Sequence, residues 1–292
     1  MVRSIDYLIL NQLTIKNCTS RRPLNNTPSG GTVNIQFNQR YSWNRAVVYC
    51  DDASIASSLQ IGDASFVSCY TGSCPGGFSL GTATYCTDYS IGGVVSSGEK
   101  STVVTITLGT SFSIGYVSAA WFANLIIGAH GWWNIINRVS TVVRPDGYLN
   151  SSPVATTLPV IYKAVGVQHV HVVQMSDFDS NDVLKCRWSI GTTSNTNSYN
   201  ECADVCSGIP GANLIESNCT LVFTLSTAGW YVAAALQIED YYSSSSTSPM
   251  SSVPLQFLFY GYSAPGVCST QPVITGVRPN RGKKLKLYPF PS

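Results

Sequence analysis

Charge is scarce in this chain. Lysine, arginine, aspartate and glutamate make up 11% of its 292 residues, against roughly 25% in an average soluble domain. What charge there is nearly cancels to a net +2 at pH 7, so no field is available to hold a polyanion, which argues against nucleic acid as a partner of the folded part. Histidine is rarer still, with three residues. Long apolar runs are missing as well: the stretch around Ala119 to Gly128 is interrupted by Asn124 and falls short of the ~20 residues that a membrane-spanning helix needs. The opening, Met1 to Leu13, offers only Leu8-Ile9-Leu10 between Asp6 and Asn11, without the basic start and apolar run of about 7–15 residues of a secretory leader. The expectation is an excerpt from a longer polypeptide with adjoining modules. The rival is a complete intracellular protein with reduced thiols.

In place of charge the chain carries Ser, Thr, Asn, Gln and Gly, a profile that suits extracellular β-proteins. Its ten cysteines are grouped: Cys50, Cys69, Cys74 and Cys86 in one half, Cys186, Cys202, Cys206 and Cys219 in the other, with Cys18 and Cys268 outside both sets. Two quartets imply two bridges per module in an oxidising compartment, each stabilising its module by roughly 2–4 kcal/mol. The implied localisation is extracellular or at the cell surface, as a secreted protein or a membrane-associated ectodomain.

Period-two alternation dominates both halves. Val33, Ile35 and Phe37 alternate with Asn34, Gln36 and Asn38; Val104, Ile106 and Leu108 with Thr105 and Thr107; Phe112, Ile114 and Tyr116 with Ser113 and Gly115. Such runs bury one face of a strand, and no stretch shows helical spacing. The expected fold is all-β: two disulfide-bearing antiparallel β-sandwich domains in tandem. Residues 1–27 form a segment without assigned structure, 28–150 a Cys-rich β domain, 151–263 a second β-sandwich, and 264–292 a tail that reads as the start of a truncated module. The boundary falls near 151, where the Pro145-Asp146-Gly147 turn and the polar Asn150-Ser151-Ser152 read as a linker. In the second half Leu184, Cys186 and Trp188 share one strand face, and Cys219, Leu221, Phe223 and Leu225 share another. Both cysteines then point inward, which favours a Cys186–Cys219 bridge with Cys202 paired to Cys206, although four cysteines allow three connectivities. A phase change between Tyr231-x-Ala233 and Leu236-x-Ile238 predicts a β-bulge at Ala233-Ala234-Ala235.

The order Cys186-Arg187-Trp188, Cys202-x-x-x-Cys206, Asn218-Cys219-Thr220, Gly229-Trp230-Tyr231, Leu236-Gln237-Ile238-Glu239-Asp240 and Ser252-Val253-Pro254-Leu255-Gln256-Phe257 resembles a recurrent module of large invertebrate extracellular proteins. With the Cys-rich half, which resembles their usual upstream module, the similarity covers roughly residues 28 to 275. It implies an extracellular setting and no established enzymatic activity. More distantly, Asp177 to Asp182 before a strand and Gly229-x-Tyr231 leading to Asp240 resemble landmarks of cadherin-like and PKD-like sandwiches, an analogy of fold rather than function. An immunoglobulin domain separates its first cysteine from the core tryptophan, whereas Trp188 lies two residues after Cys186.

Several motifs invite chemistry. Asp177, Asp179, Asn181 and Asp182, with Asp240 at another strand end, offer oxygen donors for Ca²⁺, the one candidate cofactor. As an EF-hand the run fails, since Asp182 replaces the glycine at position six and Trp188 the glutamate at position twelve; the competing reading is a solvated Asx-type turn. His169 and His171 share a strand face, a spacing that zinc sites use and that half-buried surface positions use more often. Gly77-Phe78-Ser79-Leu80-Gly81 matches the nucleophile elbow, but neither flank gives its strand-to-helix context. Sequons begin at Asn17, Asn25, Asn150 and Asn218, of which Asn150 in the linker and Asn218 beside an inward Cys219 are the expected glycan carriers. Trp121, Trp132-Trp133 and Tyr241-Tyr242 are candidate sugar platforms, and Arg278, Arg281, Lys283, Lys284 and Lys286 form a basic tail. The expected role is a noncatalytic extracellular interaction or adhesion module with an extracellular protein or glycan as partner. The alternative is a secreted carbohydrate-binding protein or the accessory part of a hydrolase.

Overall fold

The computed structural model describes residues 8–17 (as backbone), 30–72, 74–76 and 78–266. The first half contributes β1 (Leu8–Asn17), β2 (Thr32–Asn44), β3 (Gln60–Ile61), β4 (Phe66–Gly72), β5 (Leu80–Gly81), β6 (Thr84–Ser90), β7 (Val95–Thr107), β8 (Ser111–Ala119) and β9 (Trp132–Ser140). The second contributes β10 (Val154–Thr156), β11 (Val160–Ala164), β12 (Gln168–Val172), β13 (Gln174–Ser176) and β14 (Val183–Trp188). It continues with β15 (Asn213–Ile215), β16 (Thr220–Thr224), β17 (Tyr231–Tyr241) and β18 (Ser251–Tyr262).

The alternating runs become strands for the expected reason. In β2, Ile35, Phe37 and Tyr41 are buried while Asn34 is exposed, and the strand pairs with β7 along its whole length, from Thr32 opposite Thr107 to Asn44 opposite Val95. The first sandwich closes between β2 and β7 on one side and β4, β8 and β9 on the other. Ile35, Phe37 and Ile106 pack there with Val67, Phe112 and Ile114. The second sandwich sets β14, β17 and β18, with β11 added in parallel, against the three-stranded sheet β12-β16-β15. Phe257, Phe259 and Leu236 pack across this gap with Leu221 and Phe223. Burial of each such side chain contributes roughly 1.5–3 kcal/mol.

The two sandwiches share a sheet. β18 pairs with β1 at Asn11 opposite Gln256 and with β9 at Ser252 opposite Arg138, so one 13-stranded sheet runs through both halves. β17 is consequently buried on both faces: Val232, Ala234, Leu236 and Ile238 face the second core, whereas Ala233 and Ala235 join Trp121, Trp133 and Val205 in another. This double burial corrects the predicted β-bulge. The register of β17 on β18 runs unbroken from Tyr231 opposite Tyr260 to Asp240 opposite Ser251, and the phase change reflects two apolar faces rather than an inserted residue. Where β9 and the β17–β18 pair diverge, glutamine side chains replace the ladder: Gln237 Nε2 donates to the Ile136 carbonyl at 3.1 Å and Gln256 Nε2 to the Asn134 carbonyl at 2.6 Å.

Four disulfides occur among the described residues: Cys50–Cys86, Cys69–Cys74, Cys186–Cys219 and Cys202–Cys206. Cys186 on β14 reaches the turn that enters β16, stapling the two layers of the second sandwich, and both of its cysteines are fully buried as the alternation implies. Cys202 belongs to the core that also holds Trp121 and Trp133, so the Cys202–Cys206 loop packs across the boundary between the halves. Cys18, Cys268, Asn25 and the basic tail lie outside the described residues, and Asn17 is described only as the last residue of β1.

Candidate ligand cleft at the junction of the sandwiches

The segment joining the halves is built around one arginine. Gly147, at φ +86°, allows the tight turn in which the Arg144 N–H donates to the Tyr148 carbonyl at 2.8 Å. This aims the buried Arg144 guanidinium at three carboxylates. It meets Asp179 at 2.8 Å, Asp146 at 3.1 Å, and both oxygens of Asp182, at 2.8 and 2.9 Å. The face of Tyr242 covers it, with ring centroid 5.4 Å away. Asp179 in turn accepts the Ser151 N–H at 2.7 Å, and its own N–H closes an Asx turn on Asp177 at 2.7 Å.

The proposed calcium ligands are therefore brought together, but around a guanidinium. Ligand oxygens of Asp177, Asp179 and Asp182 lie within 4.8 Å of one another, and Arg144 supplies the positive charge that Ca²⁺ was expected to bring. Asp240 is held apart from them, accepting from Ser251 N and Oγ at 2.7 Å each and from the Asn150 amide. Asn181 is exposed. Burial raises three of the carboxyls: Asp177 to about 8, with the Asp240 charge adding to the effect, Asp240 to about 7, and Asp182 to about 6 against the opposing pull of Arg144. Asp177 Oδ2 is buried and makes no hydrogen bond, as an unionised carboxyl tolerates better than a charged one.

The same geometry corrects the expected glycan at Asn150. Residues 149–153 are buried, and the Asn150 amide donates to Asp240, so that nitrogen faces the protein interior. Asn218 is exposed in the turn before β16, where a glycan has room.

Beside Arg144 opens a cleft of about 780 Å³. Its floor is the outer face of β8 and β9. Alternation sends Phe112, Ile114 and Val139 into the first core, leaving Ser111, Ser113, Arg138 and Ser140 on the opposite face. One wall is the loop Thr193–Thr196, and the other is the segment Thr247–Met250 with Tyr242. Two arginines, Arg138 and Arg144, line the cleft; no carboxylate, imidazole or thiol does.

No protein-family model and no curated protein matches this chain. Among solved structures, the two tandem V-type regions of VCBP3, a v-region-containing chitin binding protein, align over 85% of this chain and 99% of that one. The identity is 10% and the TM-score 0.37, a likeness that carries no inference about ligand or fine topology.

The other sequence candidates lie apart from the cleft. His169 and His171 share the inward face of β12, where His169 Nε2 contacts the Ala164 carbonyl at 2.8 Å and His171 packs on Phe257 and Phe259. Burial lowers the His171 pKa, as expected of a core imidazole. Ser79 is exposed and leads into the two-residue strand Leu80–Gly81 rather than into a helix. Trp121 and Trp133 are core residues, leaving Trp132 exposed without its neighbour, so no tandem tryptophan platform forms. Tyr241 is engaged by Lys185 across its ring and by Glu239 through its hydroxyl. Among the described residues no helix is long and apolar enough to cross a membrane. Neither Arg138 nor Arg144 is marked by its neighbours, Asn137-Arg138-Val139 and Val143-Arg144-Pro145, and the Asp179 and Asp182 that meet Arg144 lie far along the chain.

Proposed function

We propose that this chain is a noncatalytic extracellular binding module whose ligand seat is the junction cleft. The observation that carries this reading is the cleft's lining: a space of about 780 Å³ whose polar groups are hydroxyls, the Asn150 and Asn195 amides and two arginines, interleaved with Val142, Val143 and Met250, with no carboxylate, imidazole, primary amine or thiol to activate a hydroxyl. Such a mixture suits a saccharide, whose ring edges carry hydroxyls and whose ring faces present C–H groups to apolar side chains. The disulfides support an oxidising compartment. The order of motifs that resembles large invertebrate extracellular proteins supports the same setting.

A glycan array run beside a hydrolase substrate screen, both with the oxidised chain, tests the proposal. Reproducible saccharide binding without turnover is expected, and Ser194→Trp, an exposed position on the cleft wall, is expected to abolish it. Turnover of any bound saccharide contradicts the noncatalytic reading, and binding indifferent to Ser194→Trp places the ligand elsewhere.

A further inference from the structure

Arg138 differs from Arg144 and Arg187, the other arginines set in the junction and the second sandwich, and it lacks the stacked rings of Tyr49 and Tyr89 that cover the half-buried Arg45. Arg144 is neutralised by Asp146, Asp179 and Asp182, and Arg187 by Glu201 and Glu239. Arg138 forms no ion pair with any described residue. Its cross-strand partners are both serines, Ser113 on β8 and Ser252 on β18. Among the described residues its one side-chain hydrogen bond is from Nη1 to Ser113 Oγ at 3.3 Å, and that hydroxyl is committed in turn to Asn197 at 3.1 Å. The guanidinium is half-buried, and desolvation holds its pKa below the ordinary arginine value. A cation so placed costs stability unless something outside the fold completes it.

Resting on the cleft as ligand seat, we infer that Arg138 anchors an anionic group of a bound acidic saccharide, a carboxylate or a sulfate. A guanidinium presents donors in a planar fork that fits either group. Around it stand Ser111, Ser140, Thr193, Ser194 and Thr196 to meet sugar hydroxyls, and no carboxylate in the lining repels the anion. Arg144 shares the cleft but its charge is already met by Asp146, Asp179 and Asp182, which makes Arg138 the discriminating charge. A cation without an acidic partner, set in a sheet where it lines a cleft, is placed for binding rather than for stability.

The test is isothermal titration calorimetry with three probes: a sulfated, uronate-bearing tetrasaccharide, an oligogalacturonate carrying carboxylates alone, and the first probe desulfated and carboxyl-reduced to neutrality. The native chain is expected to bind an acidic probe at least about tenfold more tightly than the neutral one, the scale of a charge-assisted hydrogen bond. Comparison of the two acidic probes identifies which anion is preferred. Arg138→Gln is expected to erase that preference while its Tm stays level or rises, because an uncompensated charge is removed; Arg138→Lys retains part of the preference. No acidic binding at millimolar probe, an unchanged preference in Arg138→Gln, or a fall in its Tm overturns the inference. Neutral-sugar binding abolished by Ser194→Trp but indifferent to Arg138→Gln would overturn the anion anchor while leaving the binding-module reading intact.

Discussion

Arg144 and Asp182 meet through two parallel hydrogen bonds, Nη1 to Oδ2 at 2.9 Å and Nη2 to Oδ1 at 2.8 Å, with both side chains withdrawn from water. The pair joins the segment between the sandwiches to the loop before β14, and Asp179 and Asp146 extend it on the same guanidinium. It is an internal cation site whose cation is part of the chain.

Removing that cation leaves buried carboxylates uncompensated. Arg144→Met is expected to destabilise the protein by about 3–5 kcal/mol, the cost of breaking a buried ion pair from one side, as read from urea denaturation. The native chain should show no change in Tm on adding millimolar Ca²⁺, since the guanidinium already meets Asp179 and Asp182. A calcium-dependent rise would show that the ion displaces it.

The raised carboxyls give stability a pH dependence of defined sign. Asp177 ordinarily titrates at 3.8 and in the fold at about 8. Below 3.8 both states hold the proton; between 3.8 and about 8 the folded state holds it and the unfolded state does not. Stability therefore falls as pH rises through this window and levels off above it. Asp240, at about 7, adds to the same slope. Asp177→Asn should flatten the profile of unfolding free energy between pH 5 and pH 8 relative to the native chain, a range chosen inside that window. An unchanged slope would show that the carboxyl is ionised throughout.

The seam between the halves depends on side-chain amides. Gln237 donates to the Ile136 carbonyl and accepts from Ser252 Oγ at 2.9 Å, all within the interior. Gln237→Leu keeps the volume and orphans both partners, so a loss of about 1–3 kcal/mol is expected in chemical denaturation. Loss of either sandwich alone, seen as a two-step transition, would show that the seam couples the halves less tightly than the shared core of Trp121, Trp133 and Ala233 implies.

Much of this architecture is written locally. A strand with one wet face, such as β2, declares itself by alternation, and the inward Cys186 and Cys219 follow from the same parity. β17 misled because a strand buried on both faces loses its alternation, and nothing in Tyr231 to Asp240 shows that a second core lies across it. Asn150-Ser151-Ser152 reads as a linker by composition, yet these residues are buried because Asp179 and Asp240 satisfy their polar groups from far along the chain. The acidic loop was legible as a cation site. The identity of its cation was not, because Arg144 reaches it only through the turn at Gly147. Arg138 is legible only in three dimensions, through the absence of any acid beside it.

The staples should differ in weight. Chain-entropy arguments give roughly 3–4 kcal/mol for the Cys186–Cys219 bridge, with a sequence separation of 33, and about 2 kcal/mol for Cys69–Cys74, separated by 5. The double replacement of Cys186 and Cys219 by alanine should lower the urea midpoint clearly more than that of Cys69 and Cys74. The reverse order would place the weaker-held layers in the first sandwich.

An extracellular, disulfide-stapled binding module is tested most directly by mass-spectrometric thiol and disulfide mapping of the protein taken from its natural compartment. The expected result is linked peptides joining Cys50 to Cys86, Cys69 to Cys74, Cys186 to Cys219 and Cys202 to Cys206. Free thiols at these positions would contradict it, and would return the chain to a reducing compartment.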